Sequence, residues 1–335
     1  MSSYSYGDLA STLNRVRLVE QTKVNLDKFS LEVASGLKSN ISREVSGNFT
    51  PLASMERSLR SLESYQRGIG DAELFTSSMQ TVLQHVSDQV DATAAPLLGA
   101  TSATNTQTLQ IASETARAAL DSAMSALNTR VGGRALFSGL ATQETPLASA
   151  DTLIAEVKST LVGLTTADDI KVAVDAYFAI GTGDFEMSIY QGSNQPMHGF
   201  LLNEHERANV EVTAADAEIR DVLKGLVLGS LVSEGELGGD VQEQANLLKI
   251  AGEQMYSAGV GVDHLRATIG AEQAKIEAAS TRNTAERVAT EQAISEIVSA
   301  DIYASAAKLS EAEGQLELMY TITARLSRLK LSDYL

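Results

Sequence analysis

The chain has 335 residues, a formal net charge of −17, no cysteine and no tryptophan. The missing cysteines exclude disulfides, thiol nucleophiles and cysteine-ligated metals, and the acidic balance argues against nucleic acid or an anionic membrane as a partner. Hydrophobic residues make up 44% of the sequence but aromatic residues only 5%, which favours slender helix–helix packing over a large globular core. No run of about 18 apolar residues predicts a membrane span.

The first segment, residues 1–45, is predicted to be an amphipathic assembly helix. Apolar residues recur at three- and four-residue steps over residues 9–37, and charged residues, Glu32 among them, occupy the interleaved faces. Gly36 and the polar residues that follow it end the helix. The apolar positions that we predict to form an assembly interface are Leu13, Val16, Val19, Leu26, Phe29 and Val33.

Residues 46–139 are predicted to form a helical hairpin of a core rod. Helical periodicity runs over residues 52–98, where Gly68 and Gly70 each cost about 1 kcal/mol relative to alanine and Pro96 ends the helix. An alanine-rich helix over residues 109–131 follows after a short link, so the two helices are expected to pack antiparallel.

Residues 140–200 differ in character, because glycine and proline punctuate them and no long periodic stretch remains. The stretch Phe185–Tyr190 alternates apolar and polar residues as a strand does. We interpret this segment as a small inserted α+β domain whose topology the sequence leaves open. Most of the acidic excess falls between Leu140 and Ile250, which is typical of a solvated surface.

The chain then returns through helices of the core rod, residues 201–300, to a C-terminal heptad assembly helix, residues 301–335. Residues 240–335 contain no proline, and the apolar positions near the end follow a seven-residue repeat. That repeat indicates a coiled-coil seam. Its predicted interface residues are Leu309, Leu316, Met319, Leu326 and Leu329.

The two terminal segments allow two interpretations. Each is too thin to bury its own apolar stripe, so both could be frayed in the monomer and order when neighbouring subunits cover them. Alternatively, they pair with one another as an ordinary helix pair within one chain. Periodicity alone does not separate these interpretations.

The sequence predicts no catalytic, cofactor-binding or metal site. Its four histidines show no paired spacing, and the densest cluster, Glu204–His205–Glu206, is interpreted as a solvated charge cluster. The glycines of Gly181–Asp184 resemble a phosphate loop, but the loop precedes a predicted strand, whereas phosphate loops precede a helix.

Three stretches carry a resemblance to the bacterial flagellin superfamily, closest to the hook-associated proteins of the hook–filament junction. They are Leu31–Leu37 (LEVASGL), Gly133–Gly139 (GRALFSG) and the C-terminal residues Leu326–Leu335. The sequence departs from the superfamily at Ser42–Thr50, where an Asp-Asp-Pro-Ala type element is common, so no role is carried over to those residues.

The resemblance implies a mainly α fold: an elongated long-helix coiled-coil bundle formed by the N- and C-terminal halves, with the small α+β domain inserted. It implies a structural role without catalysis or cofactor, and export to the extracellular flagellum without a cleaved signal peptide. The implied partners are other copies in a helical ring, the neighbouring hook-associated protein, flagellin, and an export chaperone on the C-terminal helix. The alternatives are flagellin itself, or a cytoplasmic coiled-coil scaffold.

Overall fold

The computed structural model describes residues 5–100 and 105–332, with side chains over residues 10–100 and 105–325. The predicted mainly α class is confirmed, since long helices dominate these residues. The helices are α1 (Ser5–Ser35), α2 (Ile41–Glu44), α3 (Thr50–Ala100), α4 (Thr106–Leu127), α5 (Ala150–Thr160), α6 (Ala167–Tyr177), α7 (Phe185–Ser188), α8 (Ala217–Ser230), α9 (Val241–Val298) and α10 (Ile302–Ser332). Two antiparallel two-stranded sheets pair β1 (Arg130–Val131) with β2 (Arg134–Ala135), and β3 (Phe200–Leu201) with β4 (Arg207–Ala208).

The chain divides into two compact units. The terminal unit comprises residues 1–62 and 284–335, and the central unit comprises residues 63–283. Among the described residues, no helix is both long and apolar enough to cross a membrane.

In the central unit, α3 and α9 pack antiparallel at close range because glycines of α9 face α3. A Cβ atom on Gly252 would lie 2.7 Å from the side chain of Leu98, and one on Gly259 would lie 3.4 Å from Val90. Farther along, the Gln80 amide donates a hydrogen bond of 2.7 Å to the backbone carbonyl of Arg266. The absent side chains therefore let the two helices approach closely at these glycines.

Helices α4 and α8 of the same unit also meet through small residues. Ser113 Oγ donates a hydrogen bond of 2.7 Å to the carbonyl of Gly229, and a Cβ atom on that glycine would lie 2.8 Å from the Cβ of Ala116. The alanine-rich face predicted for α4 is thus the face that it buries. Leu120 and Leu127 of this helix are fully buried.

Helix α3 continues beyond the point where proline was predicted to end it. Pro96 lies inside the helix, which runs on to Ala100. The missing backbone donor weakens one turn, but Leu97 and Ala100 on the far side of the proline are buried in the core. Burial of that last turn therefore outweighs the local preference.

The predicted strand at Phe185–Tyr190 is wrong, because Phe185–Ser188 is the short helix α7. Phe185 and Ile189 are fully buried, whereas Met187 between them is 88% exposed. Two apolar residues four positions apart fit one helix face as well as one strand face. Within residues 140–199 the structure has three helices and one isolated bridge, Leu147 with Tyr190.

The β3–β4 hairpin packs directly on Gly68 of α3. A Cβ atom at Gly68 would lie 2.7 Å from the carbonyl oxygen of Leu201, whereas one at Gly70 would meet nothing within 4 Å. The hairpin is held in place by the Asn283 amide, which donates a hydrogen bond of 2.9 Å to Leu202 O. Gly68 is therefore a packing residue, and Gly70 is not.

We expect Gly68→Ala to lower the free energy of unfolding and Gly70→Ala to raise it. Alanine at Gly70 gains up to about 1 kcal/mol of helix propensity at no steric cost. The same substitution at Gly68 forces the hairpin carbonyl to move. Urea denaturation followed by circular dichroism measures both changes, and equal stabilisation by the two variants would contradict the hairpin contact.

Candidate assembly interface

The first and last long helices, α1 and α10, pack against each other in the terminal unit. Thr22 Oγ1 lies 4.0 Å from Met319 Sδ, and Lys308 Nζ lies 5.7 Å from the centre of the Phe29 ring. Ser305 Oγ donates a hydrogen bond of 3.0 Å to Glu32 Oε2. Because residues with higher numbers on α1 contact residues with lower numbers on α10, the two helices are antiparallel.

The contact between the helices is a heptad seam of small and half-buried residues. Its members are spaced alternately by three and four positions, as in a coiled coil. On α1 the seam contains half-buried Val19, Leu26, Phe29 and Val33 with buried Thr22, and on α10 it contains half-buried Leu309, Leu316 and Met319 with buried Ser305 and Ala312.

Leu13 and Val16 do not lie in this seam. They are 62% and 59% exposed, although they were assigned to the same interface as Val19 and Leu26. Leu326 and Leu329 fall outside the residues whose side chains the structure describes. Of the predicted interface residues whose side chains are described, Leu13 and Val16 therefore lie outside the seam and the others lie in it.

Both helices carry a second apolar stripe on the face turned away from the seam. At about 100° per residue, Leu13, Val24 and Leu31 fall on one line of α1, opposite the seam. On α10, Leu318 falls about 140° from the centre of the seam and Ile322 about 100° from it, on the flank of the helix. All five side chains are more than half exposed. Charged residues separate those of α1 along the helix, so each is a single exposed apolar side chain that a partner surface could cover.

The chain segments next to the helix pair are joined by backbone hydrogen bonds, which we call the clasp. Leu37 and Ser299 form an antiparallel bridge. The Lys38 amide donates to Val298 O at 2.8 Å, and the Ala300 amide donates to Gly36 O at 2.9 Å. Gly36 adopts a φ of +70°, a left-handed conformation that suits glycine and turns the chain out of α1.

Glu32 is a buried carboxylate at the edge of the seam. It is 7% exposed and accepts hydrogen bonds from the amide of Ser39 at 3.2 Å and from the hydroxyls of Ser39 and Ser305, both at 3.0 Å. Lys28 Nζ lies 3.9 Å from it along α1. Burial by itself raises the pKa of Glu32, but the three hydrogen bonds and Lys28 outweigh burial, so the pKa is lowered.

The sequence pattern assigned Glu32 to a polar outer face, and the structure corrects that assignment. The available signal was its position three residues after Phe29 and next to Val33, at the margin of the heptad stripe. A charged residue at that margin is usually solvated. What buries Glu32 is the turn at Gly36, which brings Ser39 back over the helix end.

Within the described residues, the structure shows the surroundings of the histidine cluster and of the glycine loop that the sequence analysis considered. No group of three or more His, Asp or Glu side chains there is placed to hold a metal ion. His205 is exposed, and its neighbour Glu206 pairs with Arg282 at 2.5 Å. The Gly181–Asp184 loop precedes a short helix rather than a strand, but the Gly181 amide donates to Glu186 of the same chain at 3.1 Å.

Comparison with known families identifies one region. Residues 253–335 match the family model described as the bacterial flagellin C-terminal helical region. This range contains the whole of α10 and the later part of α9. The resemblance to the flagellin superfamily is therefore confirmed over these residues. No curated protein sequence matches the chain significantly.

Two solved structures share the fold. FlgL of Bacillus cereus aligns with a TM-score of 0.52 and 18% identity, over 72% of this chain and 100% of its own. A Vibrio parahaemolyticus protein designated a flagellar hook-associated protein aligns with a TM-score of 0.51 and 13% identity, over 75% of this chain and 99% of its own. At such identities the likeness is one of fold.

We expect the pairing of α1 with α10 to weaken in acid through Glu32. Because its folded-state pKa is lowered, its contribution is present above the ordinary carboxyl pKa and is lost as the pH falls through the folded-state value. Hydrogen exchange of α1 amides between pH 7 and pH 3 measures this. Protection in the wild type should exceed that in Glu32→Gln at pH 7, and the difference should vanish in acid.

The matched control is Glu20→Gln, which removes an exposed carboxylate from the same helix. It should leave protection close to that of the wild type at every pH. A Glu32→Gln variant with the same pH profile as Glu20→Gln would show that the buried carboxylate contributes nothing to the pairing.

Proposed function

Starting from a flagellin-type C-terminal helical region at residues 253–335, we propose that the protein is a structural component of the bacterial flagellum. Its proposed place is the junction between hook and filament, as a hook-associated protein without catalytic activity. The observation that carries the proposal is the helix pair of α1 and α10, which leaves apolar stripes exposed on both outer faces.

The exposed stripes favour assembly for an energetic reason. Val24, Leu31 and Leu318 are 61%, 58% and 64% exposed. Moving a side chain of this size from water into a protein interface contributes about 1.5–3 kcal/mol. Because these side chains are about three-fifths exposed, neighbouring copies that covered them would gain about 1–2 kcal/mol at each contact. The proposed assembly is accordingly a helical ring built from like helix pairs.

The hook-associated role is preferred over flagellin on the basis of whole-chain likeness. The alignment with the flagellar hook-associated protein of Vibrio parahaemolyticus takes in 99% of that protein. Flagellin stays the second candidate, because the matched family model carries its name. A mainly α chain with paired terminal helices suits both.

The proposed partners follow from the place in the flagellum. They are other copies of this chain, the adjacent hook-associated protein on one side and flagellin on the other. We further propose export through the flagellar type III pathway without a cleaved signal, with a chaperone that covers the C-terminal helix beforehand. The stripe of α10 that contains Leu318 and Ile322 is the surface that such a chaperone would shield from water.

Deletion of the gene in its host tests the junction role directly. We expect hooks without filaments by electron microscopy and flagellin lost to the culture medium, because subunits are exported with nothing to polymerise on. If the protein were flagellin, the medium would contain no flagellin. Normal filaments in the deletion strain would overturn both roles.

Substitution of the outer stripes tests the proposed assembly surface. We expect Val24→Asp and Leu318→Asp each to leave the helicity of the monomer nearly unchanged, because both side chains already face water. Each should fail to restore filaments in the deletion strain, because a carboxylate would be buried between subunits. Circular dichroism and electron microscopy are the two measurements.

Asn25→Asp is the control, since it adds the same charge at an exposed position beside Val24. It should restore filaments. Full restoration by Val24→Asp and Leu318→Asp would show that the outer stripes are not contact surfaces.

A further inference from the structure

One of the two sets of positions in the seam between α1 and α10 distinguishes poorly between alignments. It repeats every seven residues with aliphatic occupants, Val19, Leu26 and Val33 on α1 and Leu309 with Leu316 on α10, whereas the other set holds Thr22, Phe29, Ser305, Ala312 and Met319. A slip of seven residues would displace one helix by about 10.5 Å and again place aliphatic side chains together. The repeated aliphatic positions therefore specify the register of α1 against α10 weakly.

Glu32, beside the seam residue Val33, makes a contact that does not repeat every seven residues. In the observed alignment it is buried and receives a hydrogen bond from Ser305 of the other helix. A slip of seven residues in one direction would place Ala312 where Ser305 now lies, and alanine cannot donate a hydrogen bond from its side chain. A slip in the other direction would carry Glu32 past Ile302, where α10 begins, so no residue of α10 would face it. A buried carboxylate that loses a partner is costly, so both slips are penalised.

Among the contacts of Glu32, only the bond from Ser305 distinguishes the alignments. The two hydrogen bonds from Ser39 come from the loop that directly follows α1, so they move together with Glu32. Lys28 lies on α1 itself and moves with it too. Ser305 is one turn inside α10 and is itself 6% exposed. The contribution of Glu32 to the register is thus held in one hydrogen bond between side chains 273 positions apart.

We propose that Glu32 is a positioning residue that sets the register of α1 against α10 through Ser305. This assignment concerns the isolated chain. Its importance for assembly rests on the function proposed above, because the register decides which outer apolar residues lie side by side. A buried polar residue that fixes alignment at some cost in stability is a known device in coiled coils.

The clasp is the competing explanation for the register. Its bonds at Leu37–Ser299 and Lys38–Val298 are made by backbone atoms. They also fix how α1 and α10 are aligned along their length. If the clasp were sufficient, the identity of residue 32 would not affect the alignment. The two explanations differ in what they predict for a leucine at that position.

Cysteine cross-linking of the full-length purified chain measures the register. The protein contains no cysteine, so introduced pairs react without background. The pair Thr22→Cys with Met319→Cys reports the observed register, and the pairs Thr22→Cys with Ala312→Cys and Val33→Cys with Leu316→Cys report slips of about one heptad in either direction. A thiol-specific cross-linker that spans about 8 Å separates alignments that differ by about 10.5 Å.

With Glu32 present, only the pair for the observed register should cross-link efficiently. Glu32→Gln keeps an acceptor for Ser305 and should preserve that preference. Glu32→Leu should raise the ratio of slipped to observed cross-links at least tenfold while keeping the helicity of the wild type. Glu32→Leu that cross-links only in the observed register would overturn the proposal in favour of the clasp.

Ser305→Ala provides a second, independent variant. It removes the hydroxyl that distinguishes the registers and leaves α1 unchanged, so slipped cross-links should appear here as well. If Glu32→Leu loses the helix pair altogether, Ser305→Ala decides: slipped cross-links support the proposal, and exclusive cross-linking in the observed register refutes it. A defect in filament assembly plays no part in this measurement, so its outcome is separate from that of the proposed function.

Discussion

The terminal unit is governed by a simple geometric limit: two helices packed side by side can each cover only one stripe of the other. Both α1 and α10 carry apolar residues on two faces, and pairing uses one face of each. Leu13, Val24 and Leu31 stay in water on one side, and Leu318 and Ile322 on the other. Burial of these exposed side chains against further copies or other partners would be favourable, which makes the terminal unit suited to association.

The two units specify their packing by different means. In the central unit, glycines at positions such as Gly68, Gly229 and Gly252 admit one neighbour at very short range, and any added atom would collide with it. Steric fit of this kind excludes alternative alignments by itself. In the seam of the terminal unit the aliphatic positions repeat every seven residues, so these positions distinguish less between alignments. There a buried carboxylate and its hydroxyl partner supply the distinction that shape does not.

Spacing alone predicted many of the residues that share the seam between α1 and α10, and the exceptions have identifiable causes; a role of these residues between subunits stays a prediction. Val19, Leu26, Leu309 and Leu316 lie in the seam because a heptad repeat reports which residues share a face. Leu13 and Val16 were grouped with them, but they lie off the seam, since a second stripe with helical spacing cannot be told from the first. At Phe185–Tyr190 the burial of Phe185 and Ile189 fits a helix and a strand equally, and only Met187, exposed in the structure, separates the two.

The sequence by itself determined a mainly α chain with amphipathic ends, no thiol chemistry and no spacing that indicates a metal or catalytic site. These properties follow from composition and from periodicity, which are local. The tertiary structure decided which faces meet and which polar groups are buried. Thr22 meets Met319 across 297 positions, and Glu32 is enclosed only because a turn at Gly36 returns Ser39 to it while Ser305 arrives from the far end of the chain. Contacts between such distant residues leave no periodic trace in either segment, so only the folded chain reveals them.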